Sequence, residues 1–127
     1  MADLEQNKQL VASYLHQVFN EKGPAEAFAK YIGDKYVQHN PMAPDGAEAS
    51  LRFLTGFVAQ FPELRLEIRR VIAEGDLVVT HSMMTMSPSD RGSAVMDSVR
   101  LEAGRIVEHW DVAQAIPKSS ANHNTMF

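Results

Sequence analysis

The chain has 127 residues, of which 45% are hydrophobic, and a formal net charge of -4 at pH 7. This length suits a single domain, residues 1–127, with its own core, and the acidic balance argues against nucleic acid and anionic membranes as partners. Cysteine is absent, which excludes disulfides, a thiol nucleophile and cysteine-bound zinc. There is neither a run of roughly 18 apolar residues nor a signal-peptide pattern, so we expect a cytoplasmic protein.

The first half of the chain has helical periodicity. Apolar residues between positions 4 and 19 recur every three or four positions, which predicts a helix that Gly23 ends in a left-handed conformation. Pro24 suits the first turn of a second, short helix. Residues 36–40 are expected to be extended, and a third helix is predicted over residues 47–60.

The second half changes to the period of two that is typical of strands. Alternation predicts a strand over residues 64–69, a hairpin turn at residues 74–76 and a long strand over residues 77–86. A final hairpin is predicted from strands at residues 94–101 and 105–115. Helices followed by antiparallel strands indicate an α+β fold, with the helices packed on one face of the sheet.

The register of the last hairpin decides which side chains share a face. A three-residue loop over residues 102–104 is favoured, because Ala103 fits the left-handed positions of a two-residue turn poorly. This loop pairs Asp97 with His109. A two-residue turn would instead place Asp97 opposite Trp110, since a slip of one residue exchanges the faces.

In the favoured register, one face of the hairpin has the character of a pocket wall. It carries the carboxylates of Asp97 and Asp111 and the imidazole of His109, with Val99 and Val107 nearer the turn. Polar groups in such a pocket are costly unless they are paired or functional. The structural alternatives are that Asp111 caps backbone amides at the strand end and that Asp97 and His109 form a structural ion pair.

The opposite face of the hairpin carries Trp110 and Met96. A large aromatic residue on an outer sheet face predicts a partner surface, which we expect to form a homodimer. The apolar residues Met126 and Phe127 at the end of the chain are expected to pack against the pocket mouth or a neighbouring subunit.

Two further histidines lie on other predicted strands. His39 is near the end of the first extended segment and His81 shares a face of the long strand with Met83. We expect both imidazoles to converge with the group on the last hairpin, although a turn role for the first and a satisfied interior position for the second remain alternatives. Alternation puts Asn40 opposite His39, unless Pro41 breaks the strand there.

Metal binding is the rival chemistry for this group. Three histidines and a carboxylate are a ligand set for zinc or iron. No two histidines have the close spacing of a strand or helix metal motif. We therefore predict neither a metal nor another cofactor.

Several segments together resemble SnoaL-like proteins of the nuclear-transport-factor-2-like superfamily. They are residues 36–41, 45–46, 74–79 and 104–111, and the ending at residues 122–127 resembles one subgroup. The resemblance covers nearly the whole chain. It implies a cone-shaped α+β barrel, in which a curved sheet, mixed or antiparallel, wraps the N-terminal helices and encloses a pocket, and it implies a dimer through the sheet.

The resemblance also implies a chemistry. Polyketide cyclases of this family close a ring by intramolecular aldol condensation without metal or cofactor, using a pocket aspartate as acid and base, helped by histidine or asparagine. Matching the strand motif puts that role on Asp111 or, as the alternative, on Asp97. The superfamily also holds isomerases, dehydratases, epoxide hydrolases and non-catalytic binders, so the fold does not fix the function.

We therefore expect a cofactor-independent enzyme that acts on a small hydrophobic carbonyl compound by aldol-type cyclisation or isomerisation. The alternative is a non-catalytic dimer that binds a hydrophobic metabolite as a carrier or sensor. The expected catalytic residues are Asp111, His109, Asp97, His39 and His81. The expected substrate-binding residues are Asn40, Met83, Val99, Val107 and Tyr14.

Overall fold

Three helices and five strands make up the fold in the computed structural model, which describes residues 3–127. The helices are α1 (Leu4–Leu15), α2 (Pro24–Tyr31) and α3 (Ala47–Gln60), and the strands are β1 (Ile32–Gln38), β2 (Arg65–Glu74), β3 (Leu77–Thr85), β4 (Ser93–Glu102) and β5 (Arg105–Ala115). The bounds of α3 and β5 agree with the sequence prediction, whereas β1 begins before the predicted segment and β2 is longer than predicted. None of the described helices is long and apolar enough to cross a membrane.

The strands form one mixed sheet in the order β1-β5-β4-β3-β2. β1 runs parallel to β5, and the other neighbouring strands are antiparallel. The sheet is curved but unclosed, with β1 and β2 as its edges. The predicted α+β class is confirmed, and the helices cover the concave face.

The hydrophobic core lies between the helices and this inner face. Val11 and Val18 from the helical segment pack with Val78, Val99 and Ile106 from the sheet, and each is at most 1% exposed. A buried aliphatic side chain contributes about 1.5–3 kcal/mol relative to an exposed one. The core therefore fixes α1 against β3, β4 and β5.

The end of the first helix differs from the prediction. α1 continues into a π turn, His16–Asn20, and Lys22 rather than Gly23 adopts the left-handed conformation, with a φ of 58°. The Nζ atom of Lys22 donates hydrogen bonds of 2.6 Å to the carbonyl oxygens of Phe19 and Leu64. These two bonds hold a non-glycine residue in a conformation that otherwise costs roughly 1–2 kcal/mol.

The π turn also connects the helix to the open edge of β2. The Asn20 side chain donates to the Leu66 carbonyl at 2.9 Å and accepts from the Leu66 amide at 2.8 Å. Unpaired backbone groups at a sheet edge invite association with other strands. Asn20 therefore satisfies part of this edge and anchors the helix to it.

The last hairpin corrects the predicted register. Ala103 and Gly104 form a two-residue turn with φ values of 50° and 74°, and Glu102 pairs with Arg105. A bulge then shifts the register, so that Asp97 pairs with Asp111 instead of His109. The predicted three-residue loop and its residue pairs are therefore wrong. The faces are nevertheless as predicted, because the observed register differs from the predicted one by two residues, an even number.

The outer face of the sheet carries Trp110 and Met96, as the predicted faces require. Phe127 also lies on this side, with its ring centroid 5.5 Å from that of His81 and 5.2 Å from the guanidinium carbon of Arg69. Its expected position at the pocket mouth is therefore wrong, and the contact with a neighbouring subunit stays a prediction.

Candidate active site

A cavity of about 330 Å³ lies between the helices and the inner face of the sheet. Its wall is mostly apolar and aromatic, with side chains that include Tyr14, Phe19, Phe53, Phe57, Met84 and Val95. A small set of polar side chains, Gln38, Asn40, Asp97, His109 and Asp111, enters from β4, β5 and the end of β1. An apolar cavity with a few convergent polar groups is the usual form of a small-molecule site.

His109 is the centre of the polar cluster. Its Nε2 atom lies 2.8 Å from Asp97 Oδ1, and its Nδ1 atom lies 2.7 Å from Gln38 Oε1. Asp111 Oδ2 is farther from Nε2, at 4.0 Å. The imidazole is therefore held between two side-chain oxygens, and Asp97, which is 7% exposed, has its hydrogen-bond partner within the protein.

Asp111 is the carboxylate that faces the cavity with fewer constraints. Its two oxygens accept hydrogen bonds of 2.8 and 3.1 Å from the Asn40 side-chain amide. Burial raises the pKa of Asp111, and the negative charge of Asp97 adds to this, while His109 and the Asn40 hydrogen bond oppose it. A raised pKa makes a carboxylate a stronger base, and the carboxyl group that forms can return the proton.

Two buried tyrosines complete the polar side of the cavity. Burial raises the pKa of Tyr14 and of Tyr36, and the nearby Asp97 carboxylate raises both further. Both hydroxyls therefore stay neutral and can donate. Gln38 Nε2 lies 3.4 Å from the Tyr36 hydroxyl, whereas the Tyr14 hydroxyl has no hydrogen-bond partner among residues 3–127.

Five of the predicted site residues line the cavity: Asp111, His109, Asp97, Asn40 and Tyr14. The predicted grouping of imidazole and carboxylates on the inner face is therefore present. Asn40 lies inside because the alternation of β1 continues two residues past its end, where the His39 amide still donates to the His109 carbonyl, and this puts Tyr36, Gln38 and Asn40 on one side. The Asp97–His109 contact, which the sequence left as a possible structural ion pair, is also present, at 2.8 Å.

His39 and His81 do not reach this group, so the expected convergence of three histidines is wrong. His39 lies on the outer face, where its Nε2 atom is 2.7 Å from Glu108 Oε2 and its ring stacks on Trp110 with centroids 4.7 Å apart. His81 lies beside Arg70 and Phe127. The physical reason is strand alternation: β3 directs Thr80 and Ser82 inward, and the residues between them outward.

Three predicted substrate contacts are likewise absent from the cavity wall. Met83 is on the outer side of β3, and its neighbour Met84 lines the cavity instead. Val99 is part of the core. Val107 sits in the bulge of β5, where it packs closely on β1: a Cβ atom at Gly33 would lie only 3.1 Å from its Cγ1 atom.

Sequence reasoning missed Gln38, Tyr36, Phe19 of the π turn and the aromatic side chains from α3. The spacing of Tyr36, Gln38 and Asn40 was a usable signal, because side chains two apart on a strand share a face. The zinc or iron alternative required three convergent histidines, which this fold does not bring together. One oxygen or nitrogen from each of Asp97, His109 and Asp111 lies within 4.8 Å of the others, but a hydrogen bond already joins the imidazole to Asp97.

Comparison with solved structures finds the same fold in several other proteins. A proposed polyketide cyclase from Acidithiobacillus ferrooxidans has a TM-score of 0.74 and 22% identity, covering 89% of this chain and 91% of that one. A proposed ketosteroid isomerase from Kribbella flavida has a TM-score of 0.74 and 18% identity, covering 96% and 87%. An LEH-like epoxide hydrolase from M. tuberculosis has a TM-score of 0.70 and 18% identity, covering 89% and 86%.

The TM-scores establish a shared fold, and the low sequence identities leave the reaction open. A comparison with curated proteins finds no relative of significant sequence similarity. The family model of the SnoaL-like domain matches residues 11–109, which include most of the helices, β1 to β4 and the cavity residues through His109. The chain therefore belongs to the SnoaL-like domain family, as its motifs predicted.

Proposed function

We propose that this protein is a cofactor-independent acid–base enzyme for a small, neutral, hydrophobic carbonyl compound, and that it catalyses aldol-type cyclisation or isomerisation. The observation that carries the proposal is Asp111, a carboxyl group of raised pKa that faces an apolar cavity. Membership of the SnoaL-like family supports an enzyme of this class.

In the proposed reaction, Asp111 removes a proton from the carbon next to a carbonyl group. The electron pair of that C–H bond forms an enolate, whose oxygen accepts a hydrogen bond from the Tyr14 hydroxyl. The enolate carbon attacks a second carbonyl carbon, and the resulting alkoxide takes the proton back from Asp111. In an isomerisation, the proton returns to a different carbon instead.

The lining of the cavity indicates the charge of the substrate. Neither lysine nor arginine contributes to the part of the wall that the structure describes. An anion would also face the carboxylates of Asp97 and Asp111 at short range, in a site of low dielectric constant. We therefore infer a neutral ketone or diketone rather than a carboxylate or phosphate.

The test is turnover of a panel of enolisable ketones and polyketide-like diketones by the purified protein. Asp111→Asn is expected to reduce kcat/KM by about 100-fold or more, since general acid–base catalysis contributes at least that factor. Asp34→Asn, an exposed change on β1, is the matched control and should keep full activity. Full turnover by both Asp111→Asn and Asp97→Asn would show the acid–base assignment to be wrong.

A non-catalytic carrier or sensor is the second candidate. The predominance of apolar and aromatic side chains in the wall favours it, because such a wall binds hydrophobic molecules without chemistry. The two candidates differ in their dependence on Asp111. A carrier would bind the same ketones with unchanged affinity after Asp111→Asn and would convert none of them.

We also propose that two copies of the chain associate through the outer sheet face. Met96 and Val112, beside Trp110 on this face, are 39% and 71% exposed. Exposed apolar groups gathered on one face are typical of a protein interface, and a twofold arrangement lets the same patch serve both copies.

A further inference from the structure

The orientation of the Gln38 amide is fixed by its surroundings. Its Oε1 atom lies 3.0 Å from the backbone nitrogen of Asn40. A backbone amide can only donate, so the oxygen and not the nitrogen of the side chain must face it. This contact settles which atom of Gln38 is presented to His109.

The same Gln38 oxygen lies 2.7 Å from His109 Nδ1. An amide oxygen cannot donate, so the hydrogen in this contact belongs to Nδ1. The other ring nitrogen, Nε2, is 2.8 Å from Asp97 Oδ1. The neutral tautomer with a bare Nδ1 would set a lone pair against a lone pair and is incompatible with this geometry.

Two arrangements satisfy both contacts. Either the ring is an imidazolium beside an ionised Asp97, or the ring is neutral with its hydrogen on Nδ1 and accepts a hydrogen bond from a protonated Asp97. Both place one proton between Nε2 and Asp97 Oδ1. The neighbouring titratable groups are Tyr14, Tyr36 and Asp111, and the Asp111 carboxyl, 4.0 Å from Nε2, is not hydrogen-bonded to the ring.

We propose that Gln38 is a positioning residue that keeps a hydrogen on His109 Nδ1 and so holds one proton between His109 and Asp97. Both ring nitrogens of His109 are then engaged by the protein, so His109 does not act as a base toward the substrate, and the basic role falls to Asp111. This inference deepens the proposed function, on which its catalytic meaning rests, but the tautomer can be read without turnover.

The experiment is ¹⁵N NMR of the histidine ring nitrogens at neutral pH, with the His109 signals identified by their loss in His109→Asn. Wild-type protein and Gln38→Glu, which keeps an acceptor oxygen, should show a hydrogen-bearing Nδ1. Gln38→Met removes that oxygen at similar length and should show the bare Nδ1 of the other tautomer. Gln60→Met, an exposed change at the end of α3, should leave the wild-type signal.

A bare Nδ1 in the wild-type protein would overturn the proposal, as would an unchanged hydrogen-bearing Nδ1 in folded Gln38→Met. Gln38→Leu provides the same reading should Gln38→Met fail to fold, and the wild-type measurement stands without either variant.

On a ketone substrate, Gln38→Met should lower kcat about tenfold or more and change KM little, with a shifted pH–rate profile. The wild-type NMR pattern without any turnover would count against the proposed function and leave the positioning role intact.

Discussion

Asp111 combines a chemically useful position with an energetic cost. Burial raises its pKa, which means that the folded protein favours the protonated carboxyl more than the unfolded chain does. The stability that this group contributes is fully present below the unfolded pKa of roughly 3.9 and is lost as the pH rises through the folded value. At neutral pH the ionised Asp111 therefore destabilises the fold.

The expected consequence is that Asp111→Asn stabilises the protein at pH 7 and has little effect near pH 3. The asparagine side chain removes the buried charge and keeps an oxygen to accept from Asn40. Urea unfolding at both pH values measures the difference, with Asp34→Asn as the control that should move neither midpoint. A lower midpoint for Asp111→Asn at pH 7 would contradict the assignment of its buried charge.

Single-residue patterns predicted part of the site and misplaced the rest. Alternation on β5 put His109 and Asp111 on one face, and this is where they lie. Alternation alone does not say which face is the inner one, so His39 and His81 were grouped with them. Their true side depends on how β1 and β3 join the sheet, which is a property of strand pairing and not of either residue.

At the level of elements, the last hairpin shows how packing overrides turn chemistry. Ala103 takes a left-handed position that glycine or asparagine fills at lower cost. The bulge that follows places Val107 against β1 and returns His109 to the inner face. The local sequence indicates that this turn is unfavourable for alanine. It does not reveal the compensating contact of Val107 with β1, because β1 lies about seventy positions earlier in the chain.

The connection between the π turn and β2 offers a test at this scale. Asn20→Ala leaves the amide and carbonyl of Leu66 without their side-chain partner and is expected to cost about 1–3 kcal/mol of unfolding free energy. Asn20→Asp keeps the acceptor and loses the donor, so its cost should be intermediate. Chemical denaturation measures both, and Asn124→Ala, in the exposed tail, should be neutral.

An Asn20→Ala protein as stable as the wild type would mean that water replaces both bonds at no cost. In that case the helix would be anchored to the sheet by the core alone. An Asn20→Asp variant weaker than Asn20→Ala would indicate that the introduced charge, rather than the lost donor, dominates.

For the whole molecule, the outer sheet face provides the prediction about assembly. Met96→Glu places a charge in the apolar patch and is expected to convert a dimer into monomers, because an unpaired charge in an interface is strongly unfavourable. Sedimentation or light scattering measures the mass. Met42→Glu, on a methionine that is 78% exposed at the cavity, is the matched control and should stay dimeric.

A wild-type protein that is monomeric at high micromolar concentration would refute this assembly.

The general α+β architecture was predictable, since helical periodicity gives way to alternation along the chain. The shape of the cavity was not, because Phe53 and Phe57 reach it through the packing of α3 over the sheet. That placement depends on three-dimensional contacts that no local spacing encodes.

The π turn has a consequence for the length of the first helical segment. Its i to i+5 bond, from the Glu21 amide to the His16 carbonyl at 3.0 Å, accommodates one residue more than an α turn would. Deleting one residue there would restore the regular pitch and leave the preceding helix in nearly the same orientation, whereas the same extra residue held in a regular α-helix, with Asn20 still tied to β2, would rotate the preceding helix by about 100°. The π turn is therefore the feature that keeps the phenol of Tyr14 in the cavity wall while Asn20 reaches β2, and without it an intact helix would turn that phenol away.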